Sequence, residues 1–548
     1  MSIQRNARFC SRSLMMCGLL FASLAAPFLY WPSGTVNAKE VGPTGKITSS
    51  NSAAIEAMME PEIQRLVDGQ SRLPGQGRLI LVNIIADPNN ESITINVDKS
   101  FIPQGKRHLT EDLGDLISEI IGAASSIVGN TFGPTPINFT VGGKDLSEIF
   151  PDDFSPRKRS GNKASFVKPS AVSGLVIVNP GHGFYYHYGT TNDWIKQRPL
   201  YPGSSTETED SVMPGYSTEL SDLMIDRSYE YVTAIANTRD VLNSAVDPDS
   251  GKPWKDLGSR YFLRRQYPTL GPTLWNMFPN GTEPDRLALR EYDEDIRSRP
   301  EYANLLDAET MISIHSNGST NVNARGFEVY TRLTDPESVK LATNISCAAK
   351  ELIQSNPTFS SFPVDLNPRS SVHGEVNRAD ATAVLIEVGY HSNATDAAAL
   401  LDPTFRTAAM KGAEKGYRLT KEGKDCVPFA ITDIPDVSGP SDGSEIPANI
   451  EFAGFPQFPV IRMMENVSCP ANATCPDATS FYYEKIPSPL PASFKCTGFT
   501  TTQVGTFSTT LIDADGVKTE PIEHTLTCTP NSAAAAKGRT SVGKIEGN

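Results

Sequence analysis

A chain of 548 residues is too long to be built around one hydrophobic core, so two to four domains are expected. It carries 49 basic and 63 acidic side chains, a formal net charge of −14. That acidic balance would repel phosphates and speaks against nucleic acid as a partner.

The first 38 residues read as a signal peptide. Arg5, Arg8 and Arg12 form a basic start, and an apolar run extends from Leu14 to Trp31. Val36-Asn37-Ala38 then fits a small-x-small cleavage site before Lys39. An uncleaved anchor is the competing reading. Cys17 would suit a lipoprotein, but Met15-Met16 before it are poor lipobox residues. No later stretch is long and apolar enough to span a membrane. The expected location is therefore outside the cytoplasm: periplasmic, extracellular or associated with the cell wall. Six cysteines remain once Cys10 and Cys17 leave with the signal: Cys347, Cys426, Cys469, Cys475, Cys496 and Cys528. An even number in an oxidising compartment suggests disulfides. A zinc cluster is not suggested, because only Cys469 and Cys475 are close together and no His lies near them.

Residues 39–150 read as a small α+β accessory domain. A helix is expected from Ala53 to Asp68, strands at Leu79–Val82 and Ser92–Val97, an amphipathic helix at Leu113–Val128, and a strand at Ile137–Val141 before the Gly142-Gly143 turn. Residues 151–172 read as a linker, with Pro151, Pro156, Pro169 and the solvated basic run Arg157-Lys158-Arg159. Residues 173–425 alternate strand and helix, which predicts an α/β catalytic domain with a mostly parallel sheet flanked by helices. A second linker, rich in Pro, Gly, Ser and Asp, is expected over 432–448. Residues 449–530 carry short alternating runs, such as Thr506–Ile512 before the turn at Asp513-Ala514-Asp515-Gly516, and predict a β-sandwich. The tail, 531–548, has the composition of a disordered segment.

Four segments carry chemistry. Val176–Asn179 reads as a buried strand, and the chain turns at Pro180-Gly181 to present His182. Ligands of open α/β sheets gather at the carboxyl ends of strands, so a site belongs there. Ser217-Thr218-Glu219 opens a helical stripe of Leu220, Leu223 and Met224, which would put Glu219 on a first turn at the same edge. Met311–Ile314 ends in His315, and Val384–Ile386 ends in Glu387. Singly, each has a plainer reading: a hydrogen-bonded strand-end His, a helix-terminal charge, a buried ion-pair partner. Together, two His and one Glu match the three-ligand set of hydrolytic zinc sites, and a further carboxylate supplies the base.

In order and local wording, the segments VIVNPGHG, SIHSNGS with RGFEVYT, and AVLIEVGYHSN resemble the amidase-3 family of N-acetylmuramoyl-L-alanine amidases over about residues 173–422. Asn179 stands where the family usually has Asp, and His391 where it usually has an aliphatic residue. The resemblance implies Zn2+ on His182, Glu219 and His315, with Glu387 catalytic. It places Glu219 against the alternatives Glu207 and Glu209, which lie nearer to His182 in a polar loop. The implied substrate is peptidoglycan, cut between N-acetylmuramic acid and L-alanine of the stem peptide, with room for an activating protein. The stretch holding ITINVDKSF and INFTVGGKDL looks like the sporulation-and-germination type module found beside cell-wall hydrolases.

Two other readings stay open. One is a different zinc amide hydrolase, such as a carboxypeptidase-like enzyme, which would use Arg325 or Arg378 for a terminal carboxylate. The other is a catalytically dead wall-binding protein. His187, in the aromatic run Phe184–Tyr188, is either a substrate contact or an exposed loop residue. Six cysteines allow about fifteen pairings. Those expected are Cys347–Cys426, tying the end of the catalytic domain to its body, then Cys469–Cys475 and Cys496–Cys528 further on. Residues 244–300, long and rich in aromatics and Pro, are expected to gate the site, with 184–218 as the opposite wall.

Overall fold

The computed structural model describes residues 46–106, 108–132, 135–154, 173–189, 191–277, 289–530 and 542–547. The expected signal peptide, most of the 151–172 linker, residues 278–288 and residues 531–541 lie outside the described residues. Among the described residues no helix is long and apolar enough to cross a membrane.

The N-terminal segment packs two long helices on a small sheet. Helix α1 (Ser52–Gly69) precedes strands β1 (Val82–Asp87) and β2 (Ser92–Val97). Helix α2 (Glu111–Phe132), β3 (Ile137–Val141), β4 (Lys144–Asp145), α3 (Leu146–Ile149) and α4 (Pro151–Phe154) follow. Strand order is β1-β2-β3-β4, with β2 and β3 parallel. Ile55, Met59, Ile63 and Val67 recur every fourth residue, so one face of α1 is apolar and buries against the sheet. Helix α4 occupies the start of the expected linker. It is held there by Asp153, which pairs with Arg297 at 2.8 Å.

The central sheet has the order β11-β10-β12-β9-β5-β8. It is built from β5 (Leu175–Pro180), β8 (Ala234–Asn237), β9 (Thr310–Asn317), β10 (Glu328–Thr331), β11 (Arg369–Ser370) and β12 (Thr382–Tyr390). The sheet is mixed: β10 runs antiparallel to β12, while β12–β9, β9–β5, β5–β8 and β10–β11 are parallel. Strands β5, β9 and β12 are near-continuous apolar runs because helices cover both of their faces. Those helices are α5 (Glu209–Arg227), α6 (Ser259–Gln266), α7 (Arg290–Leu306), α8 (Pro336–Gln354), α9 (Gly374–Asn377), α10 (Ala394–Leu400) and α11 (Pro403–Lys421). A separate hairpin, β6 (Phe184–His187) with β7 (Asp193–Lys196), projects just after His182.

The expected linker at 432–448 is instead strand. Strands β13 (Ala430–Asp433), β14 (Val437–Pro440) and β15 (Asp442–Pro447) all find partners, and β14 lies parallel to β22 at a sheet edge, where Pro440 is tolerated. Two sheets follow, β14-β22-β21-β17-β19 and β15-β20-β23-β18. Their remaining strands are β17 (Val460–Ser468), β18 (Ala473–Thr474), β19 (Ala478–Tyr482), β20 (Ser493–Thr497), β21 (Gln503–Ile512), β22 (Ile522–Thr529) and β23 (Gly543–Gly547), and β16 (Glu451–Ala453) pairs with β13. Strand β23 departs from the expected disordered tail: Ile545 is buried opposite Cys496 on β20. Cys496 and Cys528 join β20 to β22, one from each sheet, and Cys347–Cys426 and Cys469–Cys475 are also bonded.

Candidate metal centre and active site

The carboxyl ends of β5, β9 and β12 converge because their registers align. Pro180 pairs with Ile314, and His315 pairs with Glu387. Two residues past β5 the chain reverses, and His182 takes φ 54°, a left-handed conformation rare outside glycine. Gly181 makes room for what gathers there. A Cβ at this position would lie 2.7 Å from His315 Nδ1 and 2.8 Å from Glu209 Oε1.

His182, Glu209 and His315 form the cluster. Their nearest ligand-type atoms all lie within 4.8 Å of one another, and all three residues are buried. Glu209 Oε1 is 3.0 Å from His315 Nδ1 and 3.4 Å from His182 Nε2, and the two ring nitrogens are 3.2 Å apart. The outer nitrogens of both rings are tied. His182 Nδ1 donates to Gln197 Oε1 at 2.8 Å, and His315 Nε2 donates to Glu375 Oε2 at 3.2 Å. That assignment leaves His182 Nε2 and His315 Nδ1 as the ring nitrogens that face the centre, as ligation requires. Glu209 Oε2 has no hydrogen-bond partner although it is buried. Its Oε1 is the oxygen that faces both rings, and two imidazoles with one carboxylate, all buried, are the donor set of a divalent cation, so these residues fit a zinc ion.

One arginine braces both rings. Arg299, fully buried, pairs with Glu375 and, at 2.7 Å, with Asp295. Asp295 in turn accepts from Gln197 Nε2 at 3.0 Å. Asn179 adds a 2.6 Å bond to Glu375 and a 2.9 Å bond to Ser313. The charges follow. Burial would raise the Glu375 carboxyl, but Arg299 and His315 hold it well below the carboxylate range. Burial lowers His182, with Arg198 and His315 adding to the effect, so its ring stays neutral. For His315 burial acts downward, but Glu375 and Glu209 outweigh it and push the ring up to about 10.

Glu387 faces the same cleft and is not part of the cluster. Its Oε2 is buried without a hydrogen-bond partner. Burial raises its carboxyl well above the ordinary range; His315 opposes that rise, while Glu209 and Glu328 add to it. The cleft has a volume of about 460 Å³, and its walls include Arg198, Pro202, Ser319, His373 and His391. His391 stacks on Tyr201, with ring centroids 5.7 Å apart.

Glu219 is the sequence expectation that the structure displaces. It pairs with Arg406 at 2.6 Å and bonds Thr407, away from the histidines, and Glu209 stands where Glu219 was expected. The physical reason is the helix start. Thr208 and Ser211 form a capping box, so α5 begins at Glu209. Pro214, inside the helix, cannot donate to the carbonyl of Asp210, and Arg239 Nη2 satisfies that carbonyl at 3.1 Å. Glu207 bonds Ser211 and stays outside the cluster. Gln197, Asp295, Arg299 and Glu375 were missed; each lies on a different segment, and no local pattern marks them. Arg325 pairs with Asp396 and Arg378 with Glu301, each at 2.8 Å, and neither lines the cleft. His187 bonds Thr191 on the hairpin. No described residue of 244–300 lines the cleft. That stretch packs Leu257, Tyr261, Tyr292 and Ile296 under the hairpin aromatics and supplies Asp295 and Arg299. Residues 197–202 do form one wall.

Residues 283–417 match the Amidase_3 family, described as N-acetylmuramoyl-L-alanine amidase; they contain His315 and Glu387 and begin beyond His182 and Glu209. No curated protein matches the chain. Among solved structures, one similar to it is the CwlD amidase from Clostridioides difficile in complex with the GerS lipoprotein, at 18% identity and TM-score 0.32, covering 46% of this chain and 100% of that one. Another is the catalytic domain of CwlV, N-acetylmuramoyl-L-alanine amidase from Bacillus (Paenibacillus) polymyxa var. colistinus, at 16% identity and TM-score 0.28, covering 46% and 99%. A third is the amidase Ami1 from Mycobacterium smegmatis, at 16% identity and TM-score 0.27, covering 47% and 100%. At such identities and scores these likenesses carry no weight for function. The chain contains a domain that matches the N-acetylmuramoyl-L-alanine amidase family, and that match supports peptidoglycan amidase activity.

Proposed function

We propose that the protein is an exported, zinc-dependent N-acetylmuramoyl-L-alanine amidase. In this reading His182, Glu209 and His315 hold the metal, and Glu387 carries the proton. The observation that supports it most is the buried His-Glu-His set, beside a separate buried Glu387 whose Oε2 has no hydrogen-bond partner. A bound zinc ion supplies Lewis acidity toward the lactyl carbonyl and toward a water molecule. Glu387 accepts a proton from the attacking water, whose oxygen adds to the lactyl carbon. As the carbon–nitrogen bond breaks, Glu387 returns that proton to the departing alanine nitrogen. Burial raises this carboxyl's affinity for the proton, which suits a group that must hold the proton between the two halves of the relay. Gln197 and Glu375 keep the two rings aimed. The N-terminal segment reads as a wall-associated module of the sporulation-and-germination type, and the C-terminal sheets as a β-sandwich.

The test is digestion of purified peptidoglycan by the intact chain, following release of free N-terminal L-alanine. Activity lost to a zinc chelator and restored by zinc supports the reading. Wall turbidity that falls with no new alanine amine would replace it with cleavage at another bond.

A further inference from the structure

The cleft over the metal centre has fixed walls. Asp115, Leu116 and Glu119 of helix α2 line one side of it, and Val372 of the central region lies in the same apolar core as that helix. His391 lines the cleft as well, just beyond the strand end that carries Glu387. The proton relay through Glu387 gives this ring no task, and an aliphatic residue usually stands in its place in the family that the sequence resembles.

The residue is held at three points. Its backbone N–H donates to the Asn317 carbonyl at 2.8 Å. Its ring stacks on Tyr201, the two planes 3° apart. Nδ1 lies 2.9 Å from the Ser316 carbonyl oxygen, and that oxygen can only accept, so Nδ1 carries the hydrogen. Ser316 Oγ, 3.1 Å from the same nitrogen, is tied in turn to the Tyr201 hydroxyl at 2.9 Å. The ring lies beside the metal cluster, with Nδ1 3.7 Å from Glu209 Oε2. Burial disfavours a second proton, which leaves a lone pair on Nε2. Among the described residues nothing bonds that nitrogen. Gly318, in the same wall, keeps it uncovered, since a Cβ there would stand 3.1 Å from Nε2.

We infer that His391 Nε2 accepts a hydrogen bond from an amide N–H of the stem peptide and so positions the peptide beside the metal centre. The inference rests on the amidase reading and deepens it by naming a specificity residue. A ring nitrogen that can only accept matches an amide N–H, which can only donate. A stem peptide offers such a group at each of its bonds, fixed in a planar unit. A sugar hydroxyl both donates and accepts, and this nitrogen would serve only half of that capacity. Because Tyr201 and Ser316 lock the ring before any ligand arrives, binding costs it little rotamer freedom. An aliphatic side chain in the same place would fill the space and accept nothing.

The experiment measures, by calorimetry, the binding of soluble muramoyl-peptides to zinc-loaded, full-length Glu387→Gln protein with and without His391→Leu. The ligands are a parent muramoyl-peptide and ester analogues in which one stem-peptide N–H at a time is replaced by oxygen. His391→Leu is expected to weaken the parent peptide about tenfold with zinc content unchanged. One ester analogue is expected to bind both proteins equally weakly, because its missing N–H is the partner of His391. His391→Asn, whose side-chain carbonyl can accept, should recover part of the loss. In the otherwise native chain, His391→Leu should raise KM more than it lowers kcat. Equal binding of the parent peptide by both proteins, a penalty that persists in every ester analogue, or zinc lost from His391→Leu would overturn the inference. So would a parent peptide that does not bind at all. If binding follows the expected pattern but the native chain releases no alanine from the parent peptide, the amidase reading falls and the peptide contact stands.

Discussion

At the scale of single residues, two glutamates on one helix divide into a proposed metal ligand and a surface ion pair. Glu219 lies almost three turns, about 15 Å, further along α5 than Glu209. It is part-exposed against Arg406, whereas Glu209 is buried between two rings. Glu209→Ala is therefore expected to cut zinc affinity by orders of magnitude, as read by chelator competition. Glu219→Ala should leave zinc binding intact and cost about 0.5–1 kcal/mol of stability in a thermal melt. Zinc loss in Glu219→Ala with zinc retained in Glu209→Ala would return the ligand to the helix interior. Gly181 makes a second prediction. Gly181→Ala would drive a methyl group into the ligand atoms, so zinc should be lost while the circular-dichroism spectrum stays native. Stoichiometric zinc in that variant would contradict the geometry.

Protonation belongs to the same scale. In the zinc-free protein His315 holds its proton up to about pH 10, because Glu375 and Glu209 outweigh its burial. Zinc must displace that proton, so affinity should fall roughly tenfold for each pH unit below this value. The zinc-free fold has the matching dependence. The stability that His315 gains from its carboxylates is present in full below its unfolded value of 6.5 and is lost as pH rises through about 10. A zinc affinity that does not change between pH 7 and 9 would contradict the proposed charge on His315.

At the scale of elements, Arg299 on α7 links the histidine-bearing ends of β5 and β9 through Asp295–Gln197 and through Glu375. Arg299→Met strands two buried carboxylates and should cost about 3–5 kcal/mol in denaturant unfolding. Glu375→Gln keeps the size of the side chain and should weaken zinc about 10–100-fold while leaving the fold intact. Unaltered zinc affinity in Glu375→Gln would mean that the ring of His315 needs no such support. The strands that carry the site were legible in the sequence because sheets covered on both faces favour near-continuous apolar runs, and Val176–Val178, Met311–Ile314 (broken only by Ser313) and Val384–Ile386 supply them. The start of α5 was not legible. Pro214 and Gly215 read as loop, and the residue that satisfies the Asp210 carbonyl, Arg239, comes from a distant turn. The strands at 432–448 were hidden in the same way, because Pro and Gly composition does not show that a partner strand stands alongside.

At the scale of the whole molecule, the described residues, 46 to 547, fall in one compact unit with several hydrophobic cores. Asp515 of the C-terminal sheets receives Arg227 at 2.8 Å and Lys411 at 2.7 Å from α5 and α11, so that region is tied to the helices behind the site. The sequence showed the order of these regions through their changing periodicity. It did not show that α2 would reach the cleft, because contacts between distant segments leave no local pattern. The aromatics of 244–300 suggested a gate for the same reason: they announce burial without saying against what, and they pack under the hairpin.

The central claim is a division of labour, with three residues holding zinc and Glu387 moving the proton. The most direct measurement is zinc content and alanine release in Glu387→Gln, made on the same preparation. The account predicts stoichiometric zinc with N-terminal alanine release reduced at least about 100-fold, the range that positioned acid–base groups contribute. Zinc lost together with activity would make Glu387 a ligand, and alanine release at the native rate would remove it from the chemistry.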